Sequence, residues 1–313
     1  MENEKTKGLI FAFLALFLWG IHGPAGRYLA LNNVNMYFVT ASRFIMGTAV
    51  FFIFLLIRGK IKLNIKKRWK LVLALSIIGL ALNSILYHLT LIYLPATLVM
   101  ILENLSPVFV LTFSLILHKI KPKIIEIFTL LMSFSGVILI VLGKEHFENL
   151  HPLFYLGIIL GILTGITFGF YVFFSAVLVK PLKNNPDTII QFLFKIFLIA
   201  SIIMLPVLIW SADGRPKGFK QWFWLVEMGT MQSGLAYLFW NYALSLLPTN
   251  KTSILFLLTI LFTTINEIIF LDLKLNIYLI IGGILIITAG YILTKKTKKK
   301  RKILKEDIEN INS

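Results

Sequence analysis

The stretches YHLTLIYLPATLVMI (residues 87–101) and WNYALSLLPTNKTSI (residues 240–254) align without a gap. Each leaves an apolar run, crosses a very short connection holding one proline, and enters a second apolar run. Pro95 falls on Pro248. Outward from this pair the match continues at a nearly constant offset: Gly20 against Gly169, Arg43 against Lys195, and Gly136 against Gly290. The chain reads as one unit written twice.

Apolar runs of about 20 residues recur along almost the whole sequence, the length needed to cross a hydrocarbon core of roughly 30 Å. They predict spans at 8–28, 35–57, 71–93, 95–117, 124–142, 154–179, 187–210, 221–247, 249–271 and 275–294. With 58% hydrophobic and 14% charged residues, water is not the main solvent of this chain. The first run lacks a small-residue cleavage site and opens a continuing series, so it reads as a retained span. There is no cysteine, which excludes disulfides and thiol chemistry.

The net charge of +17 would suit nucleic acid if it lay on one surface. Instead it lies in short segments between apolar runs, in Arg58 to Lys70, in Lys119 to Lys123, and in a tail beginning at Lys295. That asymmetry records membrane orientation and predicts both termini in the cytoplasm, with no nucleic-acid partner. Five spans per half is an odd number, so the second half enters the membrane from the opposite face. The fold class expected is an all-α polytopic membrane protein of ten transmembrane helices in two inverted five-helix repeats, 8–142 and 154–294. A basic cytoplasmic tail, 295–313, follows. Inverted repeats of this kind are a mark of secondary transporters, with the substrate site near the midplane.

The Trp19-Gly20 and Arg43-Phe44 pairs, the connections at Pro95 and Pro248, the Ser106-Pro107 step and the glycine-bearing spans five and ten carry a resemblance. The chain resembles the EamA family of the drug/metabolite transporter superfamily over about residues 8–294. The resemblance implies export of amino acids or related small metabolites and a plasma-membrane location. It departs from that family at His118-Lys119, where an acidic residue is common.

Charges at bilayer depth cost roughly 2.5–3.5 kcal/mol on insertion scales, so each needs a partner or a wet cavity. Arg43 lies about eight residues into its span, roughly 12 Å deep, and Lys195 equally deep from the other side. They read as pseudo-symmetric mates facing the space between the halves; snorkelling of long basic side chains is the plainer reading. Glu103 reaches the depth of Arg43, as a structural ion pair or as a carboxylate that carries a coupling proton or binds an ammonium group. Glu227 and Glu267, nearer span ends, read as interfacial or packing residues.

Span one holds Gly20-Ile-His-Gly-Pro-Ala-Gly26, where proline and glycine predict a kink or break. Trp19 and His22 share the face leading into it. Gln191 with Lys195, Asn83 with Tyr87, and Gln232 with Trp240 form polar stripes, and Tyr171 adds a hydroxyl. Each has a plainer reading as helix packing or a helix-to-helix hydrogen bond. Glycines 157, 161, 165 and 169 read as a close-packing row.

Together these residues predict alternating access around a midplane cavity, with a small-molecule substrate, the lipid bilayer as surroundings and no cofactor. No phosphate-binding loop is present, so no ATPase is expected. Two basic groups favour a cargo carrying a carboxylate or phosphate. An intramembrane enzyme acting on lipid would need a nucleophile or metal with an acid/base partner, and no such constellation is found. A non-transporting sensor or partner protein would not need polar residues at matched depth in both halves.

Overall fold

The computed structural model describes residues 2–60, 68–118, 124–142, 151–183, 185–247, 252, 255–289 and 291–292. Pro248, Gly290, the tail 295–313 and much of the basic segments read above lie outside those residues. Among the described residues every regular element is helical. We number them α1 (Glu2–Leu31), α2 (Met36–Ile57), α3 (Trp69–Tyr93), α4 (Ala96–Glu103 and Ser106–His118) and α5 (Ile124–Leu142). The second half gives α6 (Phe154–Val179), α7 (Pro186–Trp210), α8 (Phe219–Glu227, Met228–Ala236 and Tyr237–Leu246), α9 (Leu258–Leu271) and α10 (Ile277–Ala289).

Local chemistry sets the ends. Asn35 starts α2 by accepting the Tyr37 N–H at 2.9 Å. Asn185 does the same for α7, with Pro186 in the first turn, where no N–H is missed, and Asp187 beside the positive helix end. Among the described residues, five helices are long and apolar enough to cross a membrane: Glu4–Leu31, Met36–Ile57, Trp69–Tyr93, Phe154–Leu182 and Pro186–Trp210. The outside of the bundle is apolar too: Ile57, Ile124 and Trp210 are each more than two-thirds exposed. Water would penalise such a surface; hydrocarbon accepts it.

The irregular backbone is not where the sequence placed it. Helix α1 runs through Pro24 without interruption, so of the kink or break expected between Gly20 and Gly26 the break does not occur. Interruptions fall in α4 and in two π-helical stretches, Leu75–Leu82 in α3 and Met228–Ala236 in α8. Pro107 explains the first. It cannot donate to the preceding turn, so the helix stops after Glu103 and restarts at Ser106. The π stretches occupy corresponding places in the two halves, and nothing in the apolar pattern announces them.

Packing between halves is reciprocal. Helix α1 lies on α9 and α8, and α6 lies on α4 and α3; α2 packs on α7 and α8, and α7 on α2 and α3. Close approach is made by glycine. A Cβ on Gly165 would stand 2.8 Å from the Leu102 carbonyl, and one on Gly169 would stand 3.0 Å from that of Ser106. The α6 glycine row therefore seats directly on the break in α4. In the other half, Gly20 of α1 lets Phe262 of α9 come into direct contact.

The junction between α3 and α4 is held by charges. Arg27 Nη1 donates to the Leu91 and Ile92 carbonyls at 2.5 and 2.8 Å, at the negative end of α3. Glu267 of α9 accepts the Ala96 and Thr97 N–H groups, both at 2.6 Å, at the positive end of α4. The packing role read for Glu267 becomes specific here: it caps a helix of the other half.

Backbone carbonyls cannot yield as side chains can, so Gly165→Ala is expected to destabilise by about 1–3 kcal/mol. Gly218→Ala, where nothing lies within 4 Å, serves as the control. Thermal unfolding of the detergent-purified variants checks this; equal midpoints would remove the close-packing argument.

Candidate functional site

A cavity lies between the halves. Trp19 and His22 reach it from α1, Arg43 from α2, and Asn83, Ser84 and Tyr87 from α3. Met100 and Glu103 come from α4, Phe168 from α6, Tyr237 from α8, and Phe256 from the residues before α9. Three irregular segments deliver these groups. Asn83, Ser84 and Tyr87 follow the π stretch of α3, Tyr237 follows that of α8, and Glu103 is the last residue before the break in α4. A π turn rotates everything after it relative to the helix before, which is how irregular backbone re-aims a functional face.

Arg43 is the centre of the polar wall and is almost fully buried. Its Nε donates to Ser233 Oγ at 3.0 Å, and its Nη1 lies 2.8 Å from both His22 Nε2 and His88 Nε2. A guanidinium only donates, so both Nε2 atoms accept and both imidazoles carry their proton on Nδ1. On His88 that proton goes to Thr40 Oγ1 at 2.8 Å, and the threonine hydroxyl goes to the Met36 carbonyl at 2.8 Å. The chain ends on a backbone carbonyl, with both ring nitrogens of His88 bonded. On His22 the Nδ1–H has no protein partner. The two imidazoles stack with centroids 5.4 Å apart.

No carboxylate neutralises this arginine by contact. Among the described residues the ion pair within 4.0 Å is Arg58 with Asp187, at 2.8 Å and far from the cavity. Of the two sequence readings of Glu103, the structural pair with Arg43 is therefore not formed, though both groups line the same cavity. A buried guanidinium held by neutral acceptors keeps its full positive charge, and Arg43 Nη2 makes no bond to the protein.

The other expected residues divide. Trp19, His22, Asn83, Tyr87 and Glu103 join Arg43 around the cavity. Asn83 also ties α3 to α6, donating to the Thr164 carbonyl and Thr167 Oγ1. Trp240, Tyr171 and Gln232 are fully buried behind the wall. Trp240 packs against Trp19 at 5.3 Å, and Tyr171 takes a hydrogen bond from Asn241 at 2.8 Å. The Gln232 side chain donates to Glu227 at 2.6 Å, and its backbone carbonyl accepts from Trp19 Nε1.

Lys195 and Gln191 are placed elsewhere. Gln191 donates to the Lys60 carbonyl at the end of α2, and Lys195, half-buried, does not line the cavity. The expectation that Lys195 mirrors Arg43 fails because the inward face of α7 is apolar. Phe197 occupies it, packed on Phe44 and Phe51 at 5.7 and 5.1 Å. Sequence reasoning also missed His88, Thr40, Ser233, Tyr237, Phe168 and Phe256. One signal was available for His88. It aligns with Asn241 in the duplicated stretch, and both are buried polar groups bonded across helices.

Fold and cavity together define a multi-pass helical membrane protein with a cavity, lined by both polar and aromatic groups, between two like halves. The chain belongs to the EamA-like transporter family, whose pattern matches residues 6–142 and again residues 155–295. An uncharacterized transporter of Archaeoglobus fulgidus is 25% identical over 301 residues, covering 94% of this chain and 99% of that one. The biotin transporter of Escherichia coli K12 is 26% identical over 219 residues, 69% of each chain. A crystal structure 16% identical in sequence, covering 94% of this chain and 98% of its own, superposes with a TM-score of 0.64 and shares the fold. The protein is a membrane transporter of a small molecule and not an enzyme.

If His88 holds Arg43 as described, His88→Ala leaves a buried donor short of acceptors and costs roughly 1–3 kcal/mol. Thr40→Ser keeps the hydroxyl and is expected to unfold near the wild-type temperature. Scanning fluorimetry of the two variants checks this, and an unshifted His88→Ala would show that the imidazole does not support the guanidinium.

Proposed function

We propose that this protein is a secondary transporter that exports a small carboxylate-bearing metabolite, an amino acid or a close relative, by alternating access at the chamber between its halves. The observation that carries the reading is Arg43: a buried, hydrogen-bonded guanidinium with no carboxylate in contact and one terminal nitrogen unbonded. An anionic cargo supplies the missing counter-charge, and the planar fork suits a carboxylate. The unpartnered Nδ1–H of His22 adds a second donor on the same wall. A relative named as a biotin transporter is consistent with this, since biotin ends in a carboxylate.

Two inverted five-span repeats, 8–142 and 154–294, are the arrangement we assign to the membrane, with both termini in the cytoplasm and the plasma membrane as location. Support comes from the charge asymmetry of the connecting segments, the reciprocal packing and the matched π stretches. Glu103, across the chamber from the basic wall, is the group we assign to a coupling proton.

Flux of labelled amino acids, biotin and organic anions into proteoliposomes, with and without a pH gradient, tests the proposal. Arg43→Ala should lower saturable flux at least about 10-fold, the loss of one charge-assisted contact. Glu103→Gln should keep downhill exchange while losing its response to the gradient. Undiminished flux in Arg43→Ala would sink the carboxylate reading, and flux of amines alone would replace it with a cation carrier.

A further inference from the structure

Away from the chamber, a groove opens between α1, α8 and α9. Ile21, Pro24 and Tyr28 line it from α1, Lys220 and Trp224 from α8, and Phe270 from α9. Tyr28 lies in the last turn of α1, Lys220 is the second residue of α8, and Phe270 is the last but one of α9. One end of the groove thus sits where all three helices have their ends, at the level of the bilayer boundary. From Tyr28 back to Ile21 it follows α1 for about 10 Å into the span, at 1.5 Å per residue.

Two contacts shape this groove. Lys220 Nζ stands over the Tyr28 ring, 4.8 Å from its centroid, and Trp224 meets Phe270 edge to face at 6.0 Å. The ring face holds the ammonium at the groove instead of leaving it to sweep the surface. Lys220 is the charged residue of the lining, and no carboxylate among the described residues lies within 4.0 Å of it. Asp272, just past the end of α9, is exposed and does not line the groove. The deeper lining is apolar. Tyrosine and tryptophan settle at membrane interfaces, and lysine there reaches toward the headgroups.

We infer that this groove binds one anionic phospholipid, its phosphate on Lys220 and the start of an acyl chain along Ile21, Pro24, Trp224 and Phe270. Charge and depth select that occupant. A cation without a counter-ion sits at the boundary, where lipid phosphates lie, and an apolar trough runs from it into the hydrocarbon. A free anion would meet the lysine and leave the trough empty; an uncharged hydrocarbon would fill the trough and leave the lysine unmatched. A lipid carrying net negative charge answers both. Because α1 and α8 also supply Trp19, His22 and Tyr237 to the chamber, the lipid rests on helices that carry the transport site. The inference does not depend on which solute is carried.

Native mass spectrometry of the full chain in detergent, titrated with phosphatidylglycerol or phosphatidylcholine of equal chain length, tests it without a transport assay. The first lipid bound should be phosphatidylglycerol, preferred by about 5-fold, the worth of one lysine against an anionic lipid. Lys220→Gln should abolish the preference and Lys220→Arg should keep it. Lys217→Gln removes a charge from the same segment but outside the groove, and should also keep it. Trp224→Ala should weaken binding of both lipids, and inorganic phosphate should displace neither. Equal affinity for the two lipids, an unchanged preference in Lys220→Gln, or an equal loss in Lys217→Gln would overturn the site. So would full affinity in Trp224→Ala, or displacement by phosphate, which would reduce it to a free-anion contact.

Discussion

The rest of the structure depends on one constraint: a guanidinium, Arg43, is buried inside a membrane protein with no carboxylate in contact. Removing such a charge from water costs several kcal/mol even after relaxation, so its neighbours must repay most of this by geometry. They come from three other helices: His22 on α1, His88 on α3 and Ser233 on α8. Thr40 on α2 itself fixes the tautomer of His88 and so makes it an acceptor. Removing any one of these leaves a buried donor unmet. The network therefore fixes how α1, α3 and α8 sit around α2, and it holds the positive charge at the chamber surface.

Close backbone approach is what lets the halves enclose a chamber at all. In hydrocarbon there is no hydrophobic drive between helices, so contact area and small residues must supply the association. The α6 glycines seat against carbonyls at the break of α4, and Gly20 of α1 admits Phe262 of α9. The break left by Pro107 ends a helix at Glu103, on the chamber wall. The same interruption thus places a carboxylate on the chamber wall and exposes carbonyls that glycine can approach closely. Packing and site share one cause.

Two arginines and two glutamates end in different roles because of what surrounds them. Arg27 and Glu267 face the end of one helix and the start of the next, where backbone partial charges complement them. They lock the α3–α4 junction. Arg43 and Glu103 face each other's chamber without touching, among aromatic walls formed by Trp19, Tyr87, Phe168, Tyr237 and Phe256. A contacting ion pair would neutralise the chamber; side chains held apart leave it polar and available to a charged solute.

What the sequence determined by itself is the membrane, the helices and the duplication. Those follow from the length of apolar runs, the placement of Lys and Arg, and the match of 87–101 with 240–254, all of which are properties of composition and spacing. Trp19, His22, Arg43, Asn83, Tyr87 and Glu103 were legible too, because a polar group inside an apolar run is conspicuous without a fold. Only the tertiary structure decided which of these converge. It put Arg43 into the chamber and Lys195 outside it, although their sequence positions correspond, because Phe197 fills the inward face of α7. It carried α1 through Pro24 without a break and broke α4 instead. It added His88, whose importance lies in a ring nitrogen 2.8 Å from an arginine on another helix. Depth along a helix is written in one dimension, while the direction a residue faces depends on π turns and on neighbours distant in the chain. That is why the sequence picked out some of the residues that line the cavity, and only the fold brought them together with others that no sequence signal marked.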